Sequence, residues 1–259
     1  MRSTASQLWP RIALIAGVLV IWLVVYATGV FDERLFPSPL AVWSALTSNL
    51  TGADGLLMAA LRSLTRLAIG MIVAVVIGTA TGLAVASRKA IQRSLGTLMV
   101  VLQALPSIAW LSLALLWFGQ RSARAIVYIV ILGAFPAVAI ATANSVRLVP
   151  PVLVRAGRTL GASGWELQHS VVFPAAVPGY VAGLQQAWAF AWQALLAGEL
   201  IATGARGLGH TLASAGQAHD APLILATMLV IATVGLLVDI GLTRFDRRIR
   251  KRRGLVPQP

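Results

Sequence analysis

Val154-Arg155-Ala156-Gly157-Arg158-Thr159-Leu160-Gly161-Ala162-Ser163-Gly164-Trp165-Glu166-Leu167-Gln168-His169-Ser170-Val171-Val172-Phe173-Pro174 separates two long apolar runs, and its reading decides how the chain is arranged. Arg155, Arg158, Glu166 and His169 do not belong in hydrocarbon. Ala162-Ser163-Gly164 favours a turn, which predicts two short helical pieces, and Pro174 is expected to end the second. The run before this stretch extends over 125–146 and the run after it over 176–200. Each can supply the ~20 residues that a membrane-spanning helix needs. The chain therefore leaves the bilayer, makes a polar excursion and returns.

Working outward, four more runs have the same character. The first covers 12–30 behind Arg2 and Arg11. It is longer than the ~7–15-residue core of a signal peptide, and Tyr26-Ala27-Thr28-Gly29 makes a poor cleavage site, so an uncleaved span is expected. A mixed-charge stretch with Pro37 and Pro39 follows, with an amphipathic segment around 40–50. A second span is expected over 67–86, a third over 98–118 interrupted by Pro106, and a sixth over 221–242. The fourth, 125–146, carries Pro136, and the fifth is the run 176–200. Gly78-Thr-Ala-Thr-Gly82 and Gly179-Tyr-Val-Ala-Gly183 are small-xxx-small patterns that let helices approach closely. Ordinary contact within one subunit accounts for them.

Composition agrees. Of 259 residues 58% are hydrophobic and 11% charged, with a mean hydropathy of +0.82. Soluble domains carry about 25% charged residues, so a single membrane domain over 1–259 is expected. The net charge of +13 lies in short segments between apolar runs and in a terminal tail, as juxtamembrane charge does, which argues against nucleic acid. Cysteine is absent, which excludes disulfides and thiolate metal sites.

Lys and Arg set the orientation. With the N-terminus in the cytoplasm, Arg2, Arg11, Arg88, Lys89, Arg93, Arg147, Arg155, Arg158 and the seven basic residues of the tail from Arg244 to Arg253 all lie inside. Only Arg34, Arg62, Arg66, Arg121, Arg124 and Arg206 lie outside. Six spans with this bias place both termini in the cytoplasm. The tail is expected to meet anionic lipid.

Glu199, near the outer end of the fifth span, is the acid of most interest, because an acid at such depth faces a cavity or a partner. It is either a pathway or gate residue, in which case Glu199→Gln impairs transport and leaves assembly intact, or an interfacial glutamate paired with an arginine such as Arg206. Pro106 and Trp110 in the third span are further candidates for the pathway or gate. Asp239 is expected to pair with the basic tail. His210 and His219 share no helical face, so no metal site is expected. No catalytic residue is expected either. A P-loop needs Gly-Lys-Ser/Thr to hold phosphates, and the lysines Lys89 and Lys251 both follow arginine.

On composition alone the stretch 154–174 reads more readily as an inert amphipathic loop than as a docking surface. Its spacing resembles the cytoplasmic "EAA" loop of binding-protein-dependent ABC importer permeases, E-A-A-x-x-x-G-x9-I-x-L-P. Gly161 is followed by nine residues and then by Val171, Val172, Phe173 and Pro174. Arg155 stands where the family has glutamate, and Gly157 where it has the second alanine. Ala156-Gly-Arg-Thr-Leu-Gly-Ala-Ser163 is similar to the variant of the nitrate/sulfonate/taurine branch. So are Leu105-Pro106-Ser-Ile-Ala109 with Leu116-Trp117-Phe118-Gly119, where Leu111-Ser112 stands in place of a proline. Glu199 to Gly209 is similar to that branch's pattern after the fifth span. The resemblance covers about residues 60–245.

The resemblance implies an all-α, type I importer permease (MetI-like) fold in a bacterial inner membrane. It implies a homodimer with a second permease copy, two cytoplasmic ATPase subunits carrying ATP and Mg, and an extracytoplasmic binding protein. This chain itself would hold no cofactor. The loop 147–174 would couple to the ATPase through Arg155, Ala156, Gly157, Arg158, Gly161, Ala162, Trp165, Glu166 and Pro174. The substrate would be a small anion such as a sulfonate or nitrate. Two other classes remain open: a secondary transporter or channel acting without an ATPase, and a membrane scaffold. The lack of charge at the centre of any span weighs against proton coupling.

Overall fold

The computed structural model describes residues 4–30, 32, 35–119, 122–202 and 205–252. Arg2, Glu33, Arg34, Arg121 and Arg253 lie outside the described residues, as does the Thr203-Gly204 pair.

All regular structure among the described residues is helical. Helices occupy each of the six apolar runs: α1 (Thr4–Ala27), α3 (Leu56–Ser87), α5 (Thr97–Ala104) with α6 (Ala109–Phe118), α7 (Ala123–Arg147), α10 (Phe173–Ile201) and α12 (Ala221–Arg252). The amphipathic segment is α2 (Pro39–Ser48), with Pro39 at its first position and Ser38 Oγ accepting the Ala41 N–H at 3.1 Å. Among the described residues three helices are by themselves long and apolar enough to cross a membrane, namely α3, α7 and α12, and the bent pair ending in α6 passes the same test as a fourth, broken span.

Two boundaries differ from expectation. α3 begins at Leu56 rather than at 67, so Arg62 and Arg66 lie inside it. Hydropathy marks only the apolar part, whereas long arginines can join a helix end and carry their charge to a polar partner. α12 likewise runs past 242 through the basic tail to Arg252. There the ion pair is Asp246 with Arg250, one helical turn apart at 2.8 Å. Asp239 is exposed and makes no ion pair among the described residues.

The middle of the bundle is α7. Ile126, Ile129, Val130, Ala134 and Val138 are fully buried, with α3 on one flank and α10 on the other. Both flanks close on glycine. A Cβ at Gly78 would lie 2.7 Å from Val138 Cβ, and one at Gly82 would lie 2.5 Å from the Ala139 carbonyl oxygen. On α10, a Cβ at Gly183 would lie 2.1 Å from Ala141 Cβ. The small-residue patterns thus serve contact inside one subunit, because only a residue without Cβ admits backbones this close. By contrast α1 leaves Leu14, Val18, Ile21 and Val24 exposed, as a lipid-facing helix would, and is tied through Trp22 Nε1, which donates to the Pro37 carbonyl at 3.1 Å.

Candidate functional site

The polar excursion folds as two pieces joined by a turn. α8 (Pro151–Thr159) starts on Pro151, whose missing N–H costs nothing in a first turn. It ends in a Schellman motif. The Ala162 N–H donates to the Gly157 carbonyl at 3.0 Å and the Gly161 N–H to the Arg158 carbonyl at 3.0 Å. Gly161 holds φ at +93°, in the half of backbone space that favours glycine. The motif glycine is therefore a matter of backbone geometry, and space is no constraint, since a Cβ there would meet nothing within 4 Å. Gly161→Ala is expected to cost about 1–2 kcal/mol through backbone strain alone, readable as a lowered Tm. Gly161→Asn should recover part of it, since asparagine tolerates left-handed backbone.

The second piece, α9 (Gly164–Leu167), does not stop at Pro174 as expected. It passes through a π-helical turn (Gln168–Val172) directly into α10, with Pro174 in the first turn of that helix. The Phe173 N–H reaches back to the Gln168 carbonyl. Such a widened turn gives room for the proline ring, which lacks an N–H and would otherwise crowd the carbonyl four residues earlier. The loop is thereby joined rigidly to α10.

Arg155, Ala156, Arg158, Gly161, Trp165 and Glu166 lie exposed on one folded unit, with Ala162 and Pro174 partly covered. Gly157 differs: it is buried beneath them, where a Cβ would lie 2.9 Å from both Leu167 Cδ1 and Val171 Cγ2. Leu160, which sequence reasoning passed over, is 88% exposed and Trp165 is 72% exposed. Trp165 is held edge-on against Phe173, with ring centroids 5.8 Å apart. Bulky apolar side chains are thus held out to solvent beside arginines on the same folded unit. Arg155, Arg158 and Glu166 form no ion pair among the described residues.

Glu199 sits elsewhere, at the end of α10 remote from the loop, fully buried. Its partner is Arg66 of α3 and not Arg206. Oε2 accepts from Ser63 Oγ at 2.7 Å and from the Gly209 N–H at 3.1 Å, while Oε1 accepts from Arg66. Ser63 Oγ in turn accepts the Leu208 N–H at 2.9 Å, and Arg66 Nη2 donates to the Arg206 carbonyl at 2.8 Å. One carboxylate thus fastens α3, α10 and the start of α11 (Leu208–Gln217) together. A Cβ at Gly207 would lie 2.2 Å from Oε1, so glycine is needed there for close approach. Arg206 reaches Asp54 instead, at 2.7 Å on the surface.

Pro106 lies in the break between α5 and α6, where the two halves are bent by 94°. Leu105 before it is extended (φ −75°, ψ 125°), as a residue preceding proline is pushed to be. Trp110 is partly buried on α6 against Leu111, Ala114 and Ile129. The three pathway candidates therefore do not converge: Pro106 lines a cavity at the break, and neither Trp110 nor Glu199 is among that cavity's lining residues. Ser63 was missed, and Arg66 was named only as one of the outer arginines, although their three-residue spacing marked a shared polar face.

The chain matches the family described as "Binding-protein-dependent transport system inner membrane component" over residues 70–251. It is 30% identical to the taurine transport system permease protein TauC of Escherichia coli (strain K12), over 95% of this chain and 90% of that protein. It is 32% identical to the bicarbonate transport system permease protein CmpB of Synechococcus elongatus, over 88% of this chain and 84% of that one. Among solved structures, an inward-facing MetNI methionine ABC transporter chain superposes with a TM-score of 0.64 at 19% identity, covering 82% of this chain and 99% of that chain. That likeness concerns the fold.

Proposed function

We propose a function on the premise that the chain belongs to the family of binding-protein-dependent transport system inner membrane components, as an ABC importer permease subunit of the taurine, sulfonate, nitrate and bicarbonate type. Two copies form the substrate pathway, and each engages a separate ATPase subunit through residues 152–174. The chain crosses the inner membrane six times with both termini inside. An extracytoplasmic binding protein delivers the substrate, a small oxyanion, to the outer face, and ATP and Mg are held by the partner ATPase. ATP and loaded binding protein favour different states of the spans, and that difference drives the switch.

The observation that supports this most is the rigid, outward-facing pair Leu160 and Trp165 on a loop continuous with α10. A movement of the ATPase cleft would be passed to the span without slack. Affinity purification of the permease from its native membranes tests the reading. Retention of a nucleotide-binding subunit is the expected result, and reproducible absence would favour a secondary transporter or channel. Leu160→Ala with Trp165→Ala is expected to weaken that retention by about tenfold or more, about 1.4 kcal/mol per factor of ten. Tm should fall only slightly, since both side chains are largely exposed and the Trp165–Phe173 ring contact is what is lost.

A further inference from the structure

At the break between α5 and α6 lies a half-enclosed cavity of about 300 Å³, lined by Gln103 from the end of α5, Pro106 and Ser107 from the break, Gly133 from α7, and Phe190 and Gln193 from α10. At about 1.5 Å per residue it is about 15 Å along α7 from Ala123 and about 12 Å along α10 from Ile201. That is close to the middle of a hydrocarbon layer about 30 Å thick. Polar side chains at such depth are costly unless they face a partner or a wet cavity. Within this chain they have no partner: half-buried Gln103 and Ser107 and exposed Gln193 make no side-chain hydrogen bond among the described residues. The break adds two more donors, since among the described residues neither the Ser107 nor the Ile108 backbone N–H finds a protein acceptor. The volume would hold about ten waters at ~30 Å³ each, ample for a small solute.

Among the described residues no ionisable one lines the cavity. That matters because a pathway site must attract a solute enough to admit it and hold it weakly enough to release it. A guanidinium would hold an oxyanion by a charge-assisted bond about twice as strong as a neutral one. Amides, a hydroxyl and backbone N–H groups offer the weaker grip.

We propose that this cavity is a transit site for the oxyanion group of the transported solute, with the Gln103 and Gln193 amides, the Ser107 hydroxyl and the free N–H groups of the break as donors. The substrate class rests on the importer reading above, but the site can be probed without transport. The chain contains no cysteine, so Ser107→Cys and Gln193→Cys each place one thiol in the full chain, purified into lipid vesicles. Both thiols are expected to react with a sulfonate-bearing methanethiosulfonate, whereas Val76→Cys, on the exposed face of α3, does not. Sodium nitrate or methanesulfonate at about four times its Kd should slow the reaction about fivefold by mass action, and chloride at equal ionic strength should not. Adding Gln103→Leu should abolish that protection.

Failure of both thiols to react overturns the proposal, as does equal protection by chloride. Faster reaction with a trimethylammonium reagent, unaffected by nitrate, also overturns it and assigns the cavity to a cation. None of these outcomes depends on ATPase retention, so the importer reading stands or falls separately.

Discussion

Glu199→Gln is expected to lower the stability of the folded permease by about 3 kcal/mol or more, the range for removing one member of a buried ion pair. At about 2–4 °C per kcal/mol for a chain of this size, Tm should fall by about 6–12 °C. The carboxylate is wholly buried and the Arg66 side chain only 14% exposed, so solvent can do little to replace the lost charge. Glutamine also brings an NH2 group into a cluster where Ser63, Arg66 and the Gly209 N–H already donate, so one donor must face another. Removing both charges, as in Glu199→Leu with Arg66→Met, is expected to cost less than the single change, because no lone charge is then left buried. The pathway or gate reading, one of the two left open by the sequence, expects impaired transport with assembly intact instead. Wild-type Tm together with lost uptake would restore that view.

The second large effect is expected at the α3–α7 contact. Gly82→Leu should prevent accumulation of folded protein, because a Cβ alone would sit 2.5 Å from the Ala139 carbonyl oxygen and 2.5 Å from Thr142 Cβ. A backbone atom cannot swing aside as a side-chain tip can, so the helices must separate. Separation would pull apart the packing around Val138, Ala137 and Ala187. Overpacking in a tight core costs about 1–3 kcal/mol where neighbours can yield, and more is expected where they cannot. Gly17→Leu is the matched control, since a Cβ at Gly17 in α1 meets nothing within 4 Å. Expression level and monodispersity in detergent measure both. Equal behaviour of the two variants would refute the close-packed account of the glycine pattern.

Much of this molecule is legible in its sequence, for physical reasons. Lipid forces backbone polar groups to be satisfied within each segment, so long apolar runs could only be helices, and they are. The excursion 147–174 was visible because charge and turn residues cannot stay in hydrocarbon. The spacing from Gly161 to Pro174 carried the family, and the structure supplies the reason for the glycine in the left-handed turn that closes α8. The family match over 70–251 agrees.

What local pattern could not supply is anything that depends on which helices touch. Glu199 was recognised as an acid in need of a partner, but the partner lies 133 residues away on α3. Nothing in the spacing of either segment records that pairing. The continuation of α9 through Pro174 depends on a widened turn that the composition does not announce. The break at Pro106 was legible, but not its angle of 94°, which goes with α5 and α6 each packing on α7. Hydropathy along a chain reports the solvent each residue meets, and so it determines helices, spans and the polar loop. Contacts between distant helices depend on shape, on glycines that admit a neighbour and on a carboxylate that finds its arginine, and only the folded bundle decides those.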